Sequence, residues 1–360
     1  MDYKQTLMWQ EINQTPEIMA EILETNKYMM EGLVSTIKKN KATNFVGVAR
    51  GSSNNALTYF KYVLEYMSTY TVGLSAPSII TLYHGKINFA NSVVIACSQS
   101  GTAEDVIEVI KKANEQGAIT IAVTSNKESP LAKCAKFPLL NCCGVENSLV
   151  ATKSFSAETF ILLWLASALS GNRDNLKLLK NLKLYVKQAI PQIELLTSVY
   201  AEKFKNIEKG FVLSRGLIYG IALESSLMLQ ETAYANMQGY PSSEFYHGPL
   251  AMVNKDTPVI IYCAKYEGDE EIQSKIRADQ IRLIERILTL KAPVLLVTND
   301  CLLTGRFSRC DDALLNFSFP EEVTIFAFSI FAQMFACKIG CLKGNDPDNP
   351  RSIPKKAVSI

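Results

Sequence analysis

The stretch Ser92-Val93-Val94-Ile95-Ala96-Cys97-Ser98-Gln99-Ser100-Gly101-Thr102 decides the fold. Its first half, after Ser92, is an unbroken apolar run, which reads as a strand buried on both faces of a parallel sheet. Its second half is small and hydroxylated and leads directly into a helical pattern from Ala103 to Glu115. A turn of this kind presents backbone N–H groups and hydroxyls at the positive end of a helix, which suits a phosphate. No Gly-Lys-Ser/Thr follows, so it is not a Walker loop. An ordinary Ser-rich turn with a good N-cap is the competing reading.

Working outward, a β-rich run over Asn44 to Ala49 ends in Arg50-Gly51-Ser52-Ser53, and a helical pattern follows through Ala56, Tyr59, Phe60, Val63 and Leu64. Strand-like runs also cover Thr71 to Leu74 and Ala118 to Val123. Strands alternating with helices predict a parallel sheet covered on both faces, with the Gly51-Ser52-Ser53 and Ser98–Thr102 turns meeting at its carboxyl edge. Residues 8–39 read as helix, with Pro16 near a helix start, and residues 150–208 read as helical throughout. The earlier order then returns. Phe211-Val212-Leu213 runs into Ser214-Arg215-Gly216, a helix pattern extends to about Met237, and strands are expected over Thr257 to Tyr262 and Pro293 to Val297, flanking a helix over 271–291. The match of Ala49-Arg50-Gly51-Ser52 to Ser214-Arg215-Gly216 gives an internal repeat of about 165 residues.

The expected fold class is therefore α/β: two doubly wound domains with parallel sheets, related as an internal repeat. The expected segments are an N-terminal helical piece over 1–40, a first domain over 41–172, a helical connection over 173–208, a second domain over 209–342 and a tail over 343–360 that closes the active site. That tail is polar and carries Pro347, Pro350 and Pro354.

At 360 residues, with 48% apolar and 20% charged residues, the chain is neither disordered nor a disulfide-dependent miniature. The net charge, 37 − 35 = +2, excludes general affinity for nucleic acid or an acidic membrane surface, so an anion must be met by a local site. Nine cysteines form no CxxC pair and three of them lie in apolar runs, which predicts free thiols in a reducing cytoplasm. With two histidines and scattered cysteines, no metal site and no cofactor are expected. The apolar run from Val323 to Cys337, about 15 residues, falls short of the ~20 that span a bilayer and reads as a buried core helix.

Three further residue types stand out. His247, in Glu244-Phe245-Tyr246-His247-Gly248-Pro249, lies in a loop where an imidazole of ordinary pKa near 6.5 suits proton transfer, and structural histidines occupy such loops too. Glu231 lies in a mostly apolar helix, so it is either paired structurally or raised in pKa for acid–base work. Lys355, beside Lys356 in the tail, is either solvated or a desolvated amine able to form an imine with a carbonyl.

Together these segments resemble the SIS (sugar isomerase) family, in particular its glucosamine-6-phosphate synthase and stand-alone deaminase branches. The likeness covers nearly the whole chain and rests on Met8-Trp9-Gln10-Glu11-Ile12, Arg50-Gly51-Ser52-Ser53, Ser98-Gln99-Ser100-Gly101, Val150-Ala151-Thr152-Lys153-Ser154, Glu244–Pro249 and Asp346-Pro347-Asp348-Asn349-Pro350-Arg351. The resemblance implies that Ser53, Ser98, Gln99 and Ser100 hold a sugar phosphate. Thr102 would assist, standing in for the hydroxyl that relatives carry at the position of Ala103. It further implies that Glu231 moves a proton between C1 and C2, that His247 opens the sugar ring from the neighbouring subunit of a homodimer, that Lys355 contacts the open sugar, and that Glu146 is an acidic group near it.

Met228 and Gln230 stand where the synthase half carries lysines, which bears on the substrate rather than on the phosphosugar class. With only about 40 residues before the first strand, a glutaminase domain is not expected. The favoured reaction is therefore isomerisation of an aminosugar 6-phosphate, glucosamine 6-phosphate first, to the ketose 6-phosphate with release of ammonia. The alternatives are a deglycase acting on a fructosamine- or glucoselysine-type 6-phosphate and a non-catalytic phosphosugar sensor.

Overall fold

The structure, a computed structural model, describes residues 1–40 and 42–352. It divides into two compact units, one built mainly from residues 14–147 and 151–184 and the other from 1–13, 148–150 and 185–350.

The N-terminal unit takes most of α1 (Leu7–Asn40) and then runs β1 (Asn44–Val48), α2 (Gly51–Met67), β2 (Thr71–Leu74), α3 (Ser78–Thr81), β3 (Ser92–Cys97), α4 (Glu104–Glu115), β4 (Ile119–Thr124), α5 (Pro130–Cys134), β5 (Phe137–Leu140), α6 (Lys153–Ser170) and the first part of α7 (Arg173–Phe204). Its strands lie in the order β2-β1-β3-β4-β5, all parallel. Every residue of β3 and β4 is buried, as a strand covered on both faces requires. One cover is α4, whose Val106, Val109, Ile110 and Ala113 recur at helical spacing and pack on Val94, Ala96 and Ala122.

The C-terminal unit repeats the plan with β6 (Lys209–Ser214), α8 (Tyr219–Ala233), β7 (Asn236–Pro241), α9 (Ser242–Phe245), β8 (Val259–Cys263), α10 (Glu270–Thr289), β9 (Val294–Thr298), β10 (Cys310–Leu314) and α11 (Ile325–Leu342). Its order is β10-β9-β8-β6-β7, again all parallel, so both sheets have the same doubly wound connectivity. The repeat extends to the ion pairs. Arg50, after β1, pairs with Asp105 of α4 at 2.8 Å, and Arg215, after β6, pairs with Asp279 of α10.

Several details differ from the sequence reading. Pro16 lies inside α1 rather than near its start. The helical stretch 150–208 is two helices, broken where Gly171 takes a left-handed φ of 75°. The helix expected to reach Met237 stops at Ala233, because Tyr234 adopts a left-handed conformation, and β7 follows. Three strands escaped the pattern, β5, β7 and β10, and all three are sheet edges. An edge strand needs no continuous apolar run and tolerates Pro138 or Asp311-Asp312. The apolar run near the C-terminus belongs to a longer helical segment, Glu321–Leu342, whose 22 residues would suffice by length and composition to cross a membrane; its most apolar 18-residue window is instead 94% buried inside the protein, as in a core helix. All nine cysteines are free thiols.

One buried cation tests the packing of the C-terminal unit. Lys338 is 2% exposed. Its ammonium donates to Glu194 O, Thr197 Oγ1 and Ser198 Oγ and lies 4.7 and 4.9 Å from the ring centroids of Tyr3 and Trp9. Burial lowers its pKa to about 8. The folded chain thus sheds this proton near pH 8, while the unfolded chain holds it to about 10.4, so folding becomes more favourable as pH rises through that window. The urea midpoint of the wild type relative to Lys338→Met should rise between about pH 8 and 10; a flat difference would refute the account.

Candidate active site

In a sheet of order 2-1-3-4-5 the chain reverses direction between the first and third strands, and a crevice opens outside their carboxyl ends. In the N-terminal unit that point lies beyond Val48 and Cys97, so Ser53 and the turn Ser98–Thr102 are brought to one edge. The turn is held from below. Gln99 O accepts from Ser125 N at 3.1 Å, Ser125 Oγ at 2.5 Å and Thr124 Oγ1 at 3.2 Å, and Ser98 N donates to Val123 O. Ser98 Oγ accepts from Gly101 N at 3.2 Å. Ser100 Oγ and Thr102 Oγ1 lie 2.9 Å apart on the open side. Gly101 closes the turn at φ +64°, and a Cβ there would stand 2.3 Å from Ser129 Oγ.

Neither neighbouring helix is capped by its own side chain. Arg50 precedes α2 and Ala103 precedes α4, and neither side chain bonds its helix. Two helix N-termini and a set of hydroxyls therefore share the crevice, an arrangement that can hold a tetrahedral dianion. Ser53, in the first turn of α2, donates its hydroxyl proton to Glu158 Oε1 at 3.1 Å. Glu146, also in this unit, is 9% exposed and accepts from Thr152 N, Thr152 Oγ1, Ser154 N and Ser154 Oγ at 2.5–3.1 Å. Its carboxylate thus orders the start of α6, a structural duty that its sequence position did not disclose. A cavity of about 870 Å³ in the same unit lies among α1, α6 and α7, with Trp164 and Met30 in its lining, and includes none of these residues.

Glu231 and His247 both belong to the C-terminal unit. Glu231 sits near the end of α8 and is raised to a pKa of about 7 by burial. Its Oε2 is buried without a hydrogen-bond partner among the described residues. A carboxyl group of that kind exchanges protons at neutral pH. Met228, one turn earlier, is fully buried, and the Gln230 amide donates to Met237 O, so neither presents a group to replace a lysine beside Glu231. His247 follows α9 in an exposed turn, its backbone N–H donating to Glu244 O. That turn is anchored by Phe245, which is fully buried and packs edge-on against Phe211 at 5.0 Å.

Glu231 and His247 are not brought together within one chain. Glu231 lies just before β7 and His247 just beyond it, so they sit at opposite edges of the sheet, separated by the length of a six-residue strand, about 20 Å. Lys355 lies outside the described residues.

Among the buried carboxylates that the sequence reading did not single out are Glu158 and Glu321. Glu158 is 1% exposed within α6. Glu321 is raised to about 7 by burial, opposed by the Leu217 N–H that donates to its Oε1 at 3.2 Å. It occupies the turn after β6, where Gly216, at φ +67°, leaves room for it. The rule that singled out Glu231, an acid in an apolar helical run, also finds Glu158 in Ala157-Glu158-Thr159-Phe160. The corresponding turn after β8, Ala264-Lys265-Tyr266-Glu267, has lost the hydroxyl set of Ser98–Thr102.

Comparison with known proteins agrees with this architecture. Residues 40–168 and 203–300 match the model of the SIS domain. The chain is 30% identical over 318 residues to the isomerizing glutamine–fructose-6-phosphate aminotransferase of Aquifex aeolicus, covering 86% of this chain and 50% of that protein. It is 26% identical over 351 residues to the enzyme of that name from Sulfurisphaera tokodaii, covering 97% of this chain and 56% of that one. The chain thus spans about half the length of these curated relatives. The crystal structure of glucosamine-6-phosphate deaminase from Thermotoga maritima superimposes with a TM-score of 0.73 at 22% identity, covering 98% of this chain and all of that one, which is a likeness of fold.

Proposed function

Because the chain belongs to the SIS domain family, we propose that it is a phosphosugar isomerase of the deaminating kind, converting an aminosugar 6-phosphate to the ketose 6-phosphate and ammonia. Glucosamine 6-phosphate is the favoured substrate. The observation that carries the reading is Glu231, a half-buried carboxyl group whose Oε2 has no hydrogen-bond partner among the described residues and whose pKa burial raises to about 7.

In the proposed sequence, hydroxyls and amides of the Ser98–Thr102 turn fix the phosphate and so the register of the sugar. Ionised Glu231 takes the proton from C2 of the open-chain aldose and returns it to C1 while a proton of the amine passes to O1, leaving an imine at C2. Water adds to that imine and ammonia departs, so atoms balance without a redox partner. Lys355 would contact the open sugar. His247 would open the ring in a second copy of the chain, a role supported by its exposure and by its separation from Glu231 within one chain. The working form is then a homodimer with each site completed by its neighbour. Nine free thiols suit the reducing cytoplasm.

The deciding assay supplies glucosamine 6-phosphate and measures fructose 6-phosphate and ammonia in equal amounts. Turnover of a fructosamine 6-phosphate in place of it would move the chain to the deglycases. Binding of both without turnover of either would make it a sensor.

A further inference from the structure

Cys337 and Cys341 stand one turn apart on α11, and neither takes part in the proposed reaction. Their thiols are in contact. The Cys337 S–H donates to the Cys341 sulfur, and Thr6 Oγ1 lies 3.5 Å from Cys337 Sγ. Cys337 is fully buried, whereas Cys341, in the last turn of α11, keeps 6% of its surface open, so an oxidant meets Cys341 first. Burial pushes the thiols of Cys97, Cys143 and Cys263 up. Cys341 goes the other way, lowered first by the Cys337 hydrogen bond and also by the Met1 α-amine, against burial, Asp348 and Asp346. A thiolate with a second thiol beside it is the arrangement of an attacking and a resolving cysteine.

We propose that Cys337 and Cys341 form a redox-active dithiol that a hydroperoxide oxidises to a disulfide, and that this disulfide switches off the site at Glu231. The first half stands on the thiol pair alone; the second rests on the proposed role of Glu231. The chemistry takes two displacements. The Cys341 thiolate attacks one peroxide oxygen, the O–O bond breaks, and hydroxide leaves behind a sulfenic acid. Cys337 then attacks that sulfur; the S–S bond forms, the S–O bond breaks, and the departing hydroxide takes the Cys337 proton as water. The two sulfurs lose two electrons and the peroxide gains them. Closing this bond deforms α11. Residues four apart on a straight helix have Cβ atoms about 5–6 Å apart, and a disulfide needs them within about 4.5 Å. The turn that must tighten is the one that grips Thr232, the neighbour of Glu231. Thr232 Oγ1 donates to Ala336 O at 2.9 Å, one residue before Cys337. Gly340 lies so close that a Cβ there would stand 3.0 Å from Thr232 O. Asn345, whose backbone N–H donates to Gly340 O, also donates its side-chain amide to Thr232 O at 2.9 Å. Lys338, between the two cysteines, rests its ammonium against Tyr3 and Trp9. A tightened turn therefore moves the end of α8 and the surroundings of Trp9 together.

The test treats the full chain with hydrogen peroxide, alkylates the remaining thiols and digests with trypsin. Trypsin cuts after Lys338, between the two cysteines, so their peptides travel together only when joined, and fragmentation assigns the link to Cys337. The joined pair is expected, with a shift in Trp9 emission in a Trp164→Phe background and a fall of about tenfold or more in kcat on the aminosugar 6-phosphate. Dithiothreitol should reverse all three. Cys341→Ser and Cys337→Ala should keep the reduced activity within about twofold and lose the response to peroxide. Separately alkylated Cys337 and Cys341 peptides, under peroxide that oxidises the exposed Cys301, would overturn the dithiol. A joined pair that leaves kcat or Trp9 emission unchanged would overturn the switch. A reduced chain with no turnover would sink the proposed reaction and the switch with it, while the peptide map still decides the dithiol. Reversal by dithiothreitol in the wild type decides the matter if the variants do not fold.

Discussion

Glu231→Gln is expected to lower kcat by roughly 10²–10⁴-fold while leaving the chain folded and, above pH 7, more stable than wild type. The two effects share one cause. Burial raises this carboxyl from 4.5 to about 7 without a partner for Oε2. In the unfolded chain the group ionises near 4.5, so between about pH 4.5 and 7 the folded state holds the extra proton and stability falls as pH rises. Above pH 7 the whole penalty is present. A tenfold change in proton affinity is worth about 1.36 kcal/mol, so an amide of the same shape should recover up to about 3 kcal/mol there and almost nothing at pH 4. The wild-type kcat/KM profile should rise through an apparent pKa near 7 as the base ionises. Denaturant melts at pH 5 and pH 8, alongside turnover assays, check both halves. Full activity in Glu231→Gln would remove this residue from the mechanism; a variant that is inactive yet not stabilised at pH 8 would remove the electrostatic account.

Gly101→Ala should cost about 2–4 kcal/mol and abolish anion binding together, from left-handed strain and overpacking at one position. The added Cβ would meet Ser129 Oγ at 2.3 Å, Ser129 Cβ at 2.5 Å and Thr124 Oγ1 at 2.7 Å. These neighbours cannot move freely. Ser129 caps α5 through the Ala132 N–H, and Thr124 Oγ1 helps to hold the Gln99 carbonyl. Relieving the clash therefore means moving the turn that would hold the phosphate. Gly51→Ala is the control: it has a similar left-handed φ of +53°, but its Cβ would meet nothing within 4 Å. It should cost only about 1 kcal/mol. Equal melting temperatures for the two variants would show that crowding at Gly101 plays no part.

What could be read from the sequence follows from how each feature is made. Central strands such as β3 and β9 are buried on both faces, so they must be written as continuous apolar runs, and they were found. Edge strands β5, β7 and β10 have one neighbour each and are written in residues that also suit loops. The Ser98–Thr102 turn was legible because its chemistry is local, five apolar residues followed by hydroxyls. The environment of Glu231 was not. Whether an acid in an apolar helix is paired depends on residues distant in sequence, so only the fold reveals the orphaned Oε2. The same holds for Glu146, whose four donors come from the start of α6, and for the proton of Ser53, committed to a glutamate 105 positions away.

The carboxylate of Glu321 has a consequence for stoichiometry. Gene duplication would ordinarily give a chain two chances to bind one ligand class, one at each sheet's carboxyl edge. In the C-terminal unit the turn after β6 already holds a carboxyl group of the protein's own, since Glu321 Oε1 takes the Leu217 N–H, and the neighbouring turn reads Ala264-Lys265-Tyr266-Glu267 where its counterpart has serines and a threonine. That half is self-liganded. On the proposed reading each chain should therefore take up one equivalent of sugar phosphate, at the turn after β3 of the N-terminal unit.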